Sequence, residues 1–464
     1  MARVTNWLDD RRTARAKRAG ARLAFLLSIL ALACASATAS PARPTGPNYI
    51  AVTGADPLPE SILGASLVAP AARGIVNRFD HTITFFLPAG ADLSALTPIF
   101  RTAAGVTVRS QASGSVLDLR SAATVSLSDG SSYKVQAFAR TPMAAELNAW
   151  IGTGINLGND LDAWPGPEGS WTGGVVAQKY FFDDYRKMGF DSVRIPITWG
   201  GAKKASERLD SEPPYIVDPS FMSRAEELAG WAIDAGLTVV VNAHHEDWIR
   251  TKTGSNLTAA KPRFEALWRQ IAERFKDWPP QLVFEVLNEP NGPITEAELV
   301  ALNADILGII RSSGGFNETR TVILGGNSWN SMAALRDKAF ALPADSHIIA
   351  TFHNYNPWSF AGESSGKWDS RADAAQMTQD LSAVAKWAAD RGTPLYMGEY
   401  GVTLLFKGKK TDLDSRSAWY RSVRSAAKSL GISMAIWDDF GDFKIYDRQG
   451  RTYDDSVIPT VTAR

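Results

Sequence analysis

From residue 150 onward the chain alternates two kinds of segment. Short runs of apolar, often β-branched residues occupy positions 151–157, 192–198, 238–243, 282–287, 321–325, 348–352, 394–397 and 433–437. Between them lie stretches such as FMSRAEELAGWAIDAG and RFEALWRQIAERF, whose apolar residues recur every three or four positions. The first pattern predicts buried strands and the second amphipathic helices. Strands joined by helical crossovers pair in parallel, and eight such units close into a (β/α)8 barrel rather than an open doubly wound sheet. Each run ends in a polar or aromatic cluster: GNDLD, RIPITW, HHEDW, NEPN, GNSWN, HNYNPW, GEYG and WDDF. In a barrel these endings share one mouth, where catalytic groups collect.

The residues before the barrel follow a different rule. Alternating runs at 81–87, 105–109, 124–127 and 133–138 are broken by Gly, Ser, Asp and Pro, with no amphipathic helix between them. That pattern predicts a small β-sandwich over residues 48–140, preceded by a Pro-rich linker at 40–47, with the barrel occupying 141–464. The segments FFLPAGADLSALTP and SLSDGSSYKVQAF resemble immunoglobulin-like modules that accompany bacterial polysaccharide-degrading enzymes. Such a module either binds glycan or acts as a spacer. The absence of tryptophan from residues 48–140 favours the spacer, whose removal is expected to leave activity on soluble substrate intact. Residues 1–39 read as a signal peptide: Arg11, Arg12, Arg15, Lys17, Arg18 and Arg22 precede an apolar run at 23–33 that is too short to span a bilayer. A secreted or periplasmic protein is therefore expected, with lipid attachment at Cys34 as the alternative.

Composition narrows the function. Lys and Arg number 49, as do Asp and Glu, so no overall field favours nucleic acid. The single cysteine, Cys34, lies in the leader, leaving the mature chain without thiolate metal ligands or disulfides. Fifteen tryptophans suit a carbohydrate substrate, because indole faces stack on sugar rings. Trp199, Trp248, Trp329 and Trp358 all fall just past strand ends and are candidate stacking platforms. His244 and His245 stand beside Glu246, but neighbouring strand residues point to opposite faces, so no metal site and no cofactor is expected.

Two glutamates carry the candidate chemistry. Glycosidic hydrolysis requires protonation of a poor leaving group and stabilisation of a cationic anomeric carbon, which a carboxyl pair flanking the bond performs. Glu289 follows the fourth run in VLNEP and Glu399 the seventh in MGEYG. The region from Trp150 onward resembles glycoside hydrolase family 5. The resemblance implies Glu289, in Asn-Glu-Pro, as general acid/base and Glu399, in Gly-Glu-Tyr-Gly, as nucleophile. It also implies Arg194 as the partner that keeps the nucleophile ionised, His244 as a wall of the cleavage subsite, His353 and Tyr355 as the His-x-Tyr pair, and Trp437 as the platform beside the scissile bond. Asn288 is placed to hydrogen-bond the sugar 2-hydroxyl, and His245 reads either as part of the polar network or as a core histidine.

The expected activity is retaining endo-hydrolysis of β-1,4-glucan by a monomer, with β-mannan, mixed-linkage glucan or xyloglucan as alternative substrates. A polysaccharide-binding protein that has lost catalysis is the reading from another class.

Overall fold

The computed structural model describes residues 46–201, 208–336, 340–368 and 371–463. The predicted leader, including Cys34, and the first residues of the predicted linker lie outside them.

Eight parallel strands close into a barrel: Thr153–Asn156, Ser192–Ile195, Thr238–Asn242, Leu282–Glu285, Val322–Gly325, Ile348–Asn354, Leu395–Tyr400 and Ser433–Ile436. They coincide with the runs read from sequence because a strand covered on both faces must be apolar almost throughout. Helices return the chain between strands, and their ends follow local capping chemistry. Helix Pro219–Asp234 begins with proline after Asp218, whose carboxylate accepts from Phe221 N at 2.8 Å. Helix Glu296–Ser312 opens on a reciprocal capping box between Thr295 and Glu298.

The barrel interior is layered. Helix Ala144–Ile151 plugs the bottom, where Leu147 and Ile151 meet Val240, Val283, Ile323, Ile349, Tyr396 and Ala435. Further along the strands the inward positions turn polar: Asn242 and Glu285 come two residues after Val240 and Val283, and Asn156, Arg194 and His353 join them, all buried. The apolar floor supports that polar layer, which carries the site. No helix among the described residues is long and apolar enough to cross a membrane.

The N-terminal module is a six-stranded sheet in the order Pro98–Thr102, Ile62–Val68, Ala71–Asn77, Thr82–Phe86, Ser132–Phe138, Ala123–Ser126, folded over its own apolar core. The alternation read from sequence missed the strands Ile62–Val68, Ala71–Asn77 and Pro98–Thr102, the second of which opens on Ala-Ala-Arg-Gly and carries little β signal. Positions 105–109 contribute only an isolated bridge, from Val108 to Leu127.

The module is not a detached spacer. Ile75 and Phe86 belong to the apolar cluster of the barrel, and the Phe86 ring lies 5.9 Å from Trp150. Arg78 pairs with Asp183 at 3.0 Å, Arg186 with Asp80 at 3.2 Å, and the Arg73 guanidinium sits 4.3 Å above Trp278. Asn77 packs against Gly236 so closely that a Cβ there would stand 2.2 Å from its Nδ2. Strand Tyr49–Ala51 pairs antiparallel with Thr452–Asp454, tying the start of the described chain to its end.

This docking removes the basis for expecting a dispensable module. Phe86→Ala empties a site shared by module and barrel and should destabilise the protein by about 3 kcal/mol. Calorimetry should show a single unfolding transition shifted as a whole; two transitions, with only the smaller displaced, would show that the module folds independently.

Candidate active site

The polar layer is organised by Arg194, which is fully buried in the second strand. Its Nε donates to Glu285 Oε2 at 2.6 Å and its Nη2 to Glu285 Oε1 at 2.9 Å, a bidentate pair. Nη2 also donates to Asn288 Oδ1 at 2.7 Å, while Nη1 donates to Asn156 Oδ1 at 2.9 Å and to Glu399 Oε1 at 2.8 Å. Burial opposes the guanidinium charge, but the carboxylates of Glu285 and Glu399 outweigh it and raise the Arg194 pKa.

Glu399 reaches this network through a local irregularity. Along the seventh strand Tyr396 points inward, so regular alternation would bring Gly398 inward and turn Glu399 toward the helices. The pairing register instead shifts between Phe352 and His353 on the sixth strand and between Met397 and Tyr400 against the eighth, so that Glu399 sits opposite His353. The bulge re-aims Glu399 into the mouth. A Cβ at 398 would lie 3.0 Å from Thr351 Oγ1 and 3.2 Å from His353 Nε2, so a side chain there would crowd the ring that contacts both glutamates.

The second oxygen of Glu399 accepts from the Tyr355 hydroxyl at 2.9 Å. Burial and the nearby Glu399 charge push the Tyr355 pKa well above its usual value, so the phenol stays a donor. His353 Nδ1 stands 2.9 Å from Glu289 Oε1 and 3.6 Å from Glu399 Oε2. Burial works against a charged ring there, yet Glu399 and Glu289 prevail and raise the His353 pKa. Carboxylate oxygens of Glu289 and Glu399 lie within 4.8 Å of each other. Glu289 itself adopts a left-handed backbone conformation, φ 47°, strain of the kind that collects where side-chain aim matters more than backbone comfort.

His244 is buried and stacks against Trp437, with ring centroids 6.0 Å apart and planes within 5°. Asn242 accepts from Ile197 N through Oδ1, which turns its Nδ2 toward His244 Nδ1 at 3.1 Å. The neutral His244 ring therefore carries its proton on Nε2. Burial, then the neighbouring His245, lowers the His244 pKa well below normal, and burial with Arg250 brings His245 down to about 4.

Several sequence-based expectations change. The two histidines do not diverge: their rings are 4.4 Å apart, and Asp162 joins them with ligand-type atoms all within 4.8 Å. The strand ends at Asn242, so face alternation no longer applies to residues 244 and 245. Trp199 is fully buried against Phe221 with its indole N–H on Asn242 O, and no face remains for a sugar. Trp248 is also committed to protein, with Arg263 stacked 4.4 Å above its ring and its N–H on Glu246. Trp329 and Trp358 are open, 58% and 53% exposed. Trp329 N donates to Pro290 O at 3.0 Å, fixing it beside Glu289. Sequence reasoning passed over Glu285, Asn156 and Asn242; polar residues at inward strand positions, two places above apolar ones, were the signal.

Comparison with known proteins follows the same outline. The family model described as Cellulase (glycosyl hydrolase family 5) matches residues 153–440, and one described as SGBP, N-terminal matches residues 62–137. Endoglucanase H of Acetivibrio thermocellus is 36% identical over 320 residues, covering 68% of this chain. This chain spans only 33% of the length of that relative. Endoglucanase A of Ruminococcus albus is 31% identical over 336 residues, 67% of this chain and 89% of the relative. The structure of Thermotoga maritima Cel5A in complex with mannotriose superposes with a TM-score of 0.61 at 32% identity, covering 68% of this chain and 99% of the other.

Removing one partner of a buried ion pair leaves the other charge uncompensated. Glu285→Gln should therefore lower the free energy of unfolding by about 3 kcal/mol in denaturant titration. A midpoint equal to that of the parent would show that Arg194 is held by its remaining partners alone.

Proposed function

The chain belongs to glycosyl hydrolase family 5, and from that premise we propose that it is a secreted enzyme cleaving internal β-1,4-glucosidic bonds with retention of configuration. The observation that carries this reading is the close approach of the Glu289 and Glu399 carboxylate oxygens, within 4.8 Å. Retaining enzymes hold their carboxyl groups about 5 Å apart, too close for the intervening water that inversion needs.

The two groups take different tasks. Glu399 accepts one hydrogen bond from Arg194 and one from Tyr355, which fix its carboxylate at the mouth as the nucleophile. It attacks the anomeric carbon as the glycosidic C–O bond breaks, and Glu289 gives its proton to the departing oxygen. A covalent glycosyl-enzyme results. Water then attacks the same carbon, Glu289 takes the water proton, and the bond to Glu399 breaks. Arg194 occupies the Asn288 oxygen, which leaves the Asn288 NH2 as the donor offered to the sugar 2-hydroxyl. His244 presents Nε2–H as a further donor, and Trp437 supports the sugar at the cleavage point. Trp329, pinned beside Glu289, and Trp358 receive the leaving-group side of the chain. The leader at residues 1–39 would bring the enzyme to polymeric substrate outside the cytoplasm. β-Mannan is the second substrate reading, favoured by the mannotriose complex of the T. maritima relative.

Reducing-end release from carboxymethylcellulose, lichenan, xyloglucan and glucomannan should be greatest on the β-1,4-glucans, whereas faster release from mannan would move the assignment to mannanase. Glu399→Ala should be inactive until azide is added, and azide should then yield the glycosyl azide of inverted configuration. A retained azide product would place the nucleophile elsewhere. Glu289→Ala should slow hydrolysis of natural oligosaccharides by about 10²- to 10⁴-fold while sparing the first step on dinitrophenyl glycosides. Equal losses on both would remove the acid role.

A further inference from the structure

Trp437 is the first residue after the eighth barrel strand, and a strand end alone does not fix the plane of an indole. Its ring runs parallel to that of His244, with planes 5° apart. It also touches Gly158, just past the first strand, where a Cβ would stand 2.9 Å from Trp437 Cζ2. Gly158 N donates to Asp438 O at 2.9 Å, and Asn159 Nδ2 donates to Asp439 O at 3.0 Å. The segments that follow the first and eighth strands are therefore joined beside the tryptophan.

Arg448 holds this junction. Its Nη2 donates to Gly158 O at 2.8 Å and to Asp438 O at 3.2 Å, so one nitrogen binds a carbonyl from each segment. The guanidinium also meets Asp438 Oδ2 at 3.3 Å and Asp160 Oδ2 at 3.4 Å. A planar fork fixes the relative orientation of the acceptors it binds, which a point charge such as lysine does not.

Arg448 is itself anchored. It follows strand Tyr446–Asp447 of a hairpin whose second strand, Thr452–Asp454, pairs with Tyr49–Ala51. Asp438 Oδ1 accepts from Ile445 N at 2.7 Å, and the Tyr180 hydroxyl donates to Arg448 O at 2.9 Å. The Arg448 side chain is wholly buried, so it acts on the cleft only through what it holds.

We propose that Arg448 is a positioning residue for the cleavage subsite: by binding the carbonyls of Gly158 and Asp438 together, it sets the place and plane of Trp437 against the sugar at the scissile bond. The proposal deepens the retaining glycosidase reading and rests on it. A shift of about 1 Å in a group that orients substrate costs up to about 10²-fold in rate.

Arg448→Lys keeps a positive charge between Asp160 and Asp438 but loses the fork. On an aryl β-cellobioside its kcat should fall about ten- to a hundredfold. KM should stay within about twofold of the parent, because contacts elsewhere in the cleft still hold the ground state. In a Trp437→Ala background the same substitution should cost no more than about a further twofold, since there is no indole left to position. A merely structural arginine would reduce activity by the same factor in both backgrounds, and that result, or a parental kcat for Arg448→Lys, would overturn the assignment. If Arg448→Lys does not fold, Arg448→Met combined with Asp438→Asn removes the cation together with its anion and should show the same loss, again confined to protein that retains Trp437. Failure of both variants to fold would make the arginine structural and end the proposal. A parent protein inactive on the aryl cellobioside and on β-glucan polymers would instead remove the glycosidase reading beneath it.

Discussion

The guanidinium of Arg194 is the interaction on which the catalytic mouth depends. It is buried without solvent contact and joins side chains from the first, second, fourth and seventh barrel strands. A cation in such a place is costly to desolvate, and only an opposing charge with good geometry makes it tolerable. Glu285 supplies the bidentate half of that compensation and never needs to touch substrate. Glu399 supplies the remainder and is the group left facing the cleft. The same cation thus ties the strands of the closed barrel together and holds the Glu399 carboxylate in place at the mouth.

A second set of restraints separates the carboxyls of Glu289 and Glu399 by environment. Glu399 is nearly enclosed and receives donors from Arg194 and Tyr355; Glu289 is 23% exposed, with His353 as its partner. His353 touches Glu289 closely and Glu399 more loosely, so one ring bridges the two carboxyls.

The docked N-terminal module places a constraint far from the chemistry. Its contacts reach the helix Lys179–Lys187 through Arg78–Asp183 and Asp80–Arg186, and the helix Pro219–Asp234 through Arg73–Asp234. These helices follow the first and second strands, which carry Asn156 and Arg194 at their mouth ends. A small sheet lacking tryptophan serves this geometry through its outer face, where Ile75 and Phe86 leave its own core for that of the barrel.

The amino-acid sequence by itself determined the barrel, because eight doubly covered strands must be apolar and their crossovers amphipathic, a periodicity that survives without any tertiary contact. It also brought Glu289, Glu399, Arg194, His353 and Tyr355 to strand ends, where the fold gathers them whatever the loops do. Tertiary structure alone decided the rest. Strand alternation turns residue 399 away from the mouth, and only the bulge at Gly398, set by pairing on both sides, returns it. Whether a tryptophan is core or platform depends on what neighbouring elements cover: Trp199 disappeared beneath Phe221, while Trp329 and Trp358 stayed open. His244 and His245 converged because the strand had already ended, and the module docked because two of its apolar side chains faced outward. Periodicity reports which residues must avoid water; it carries no record of which partner excludes it.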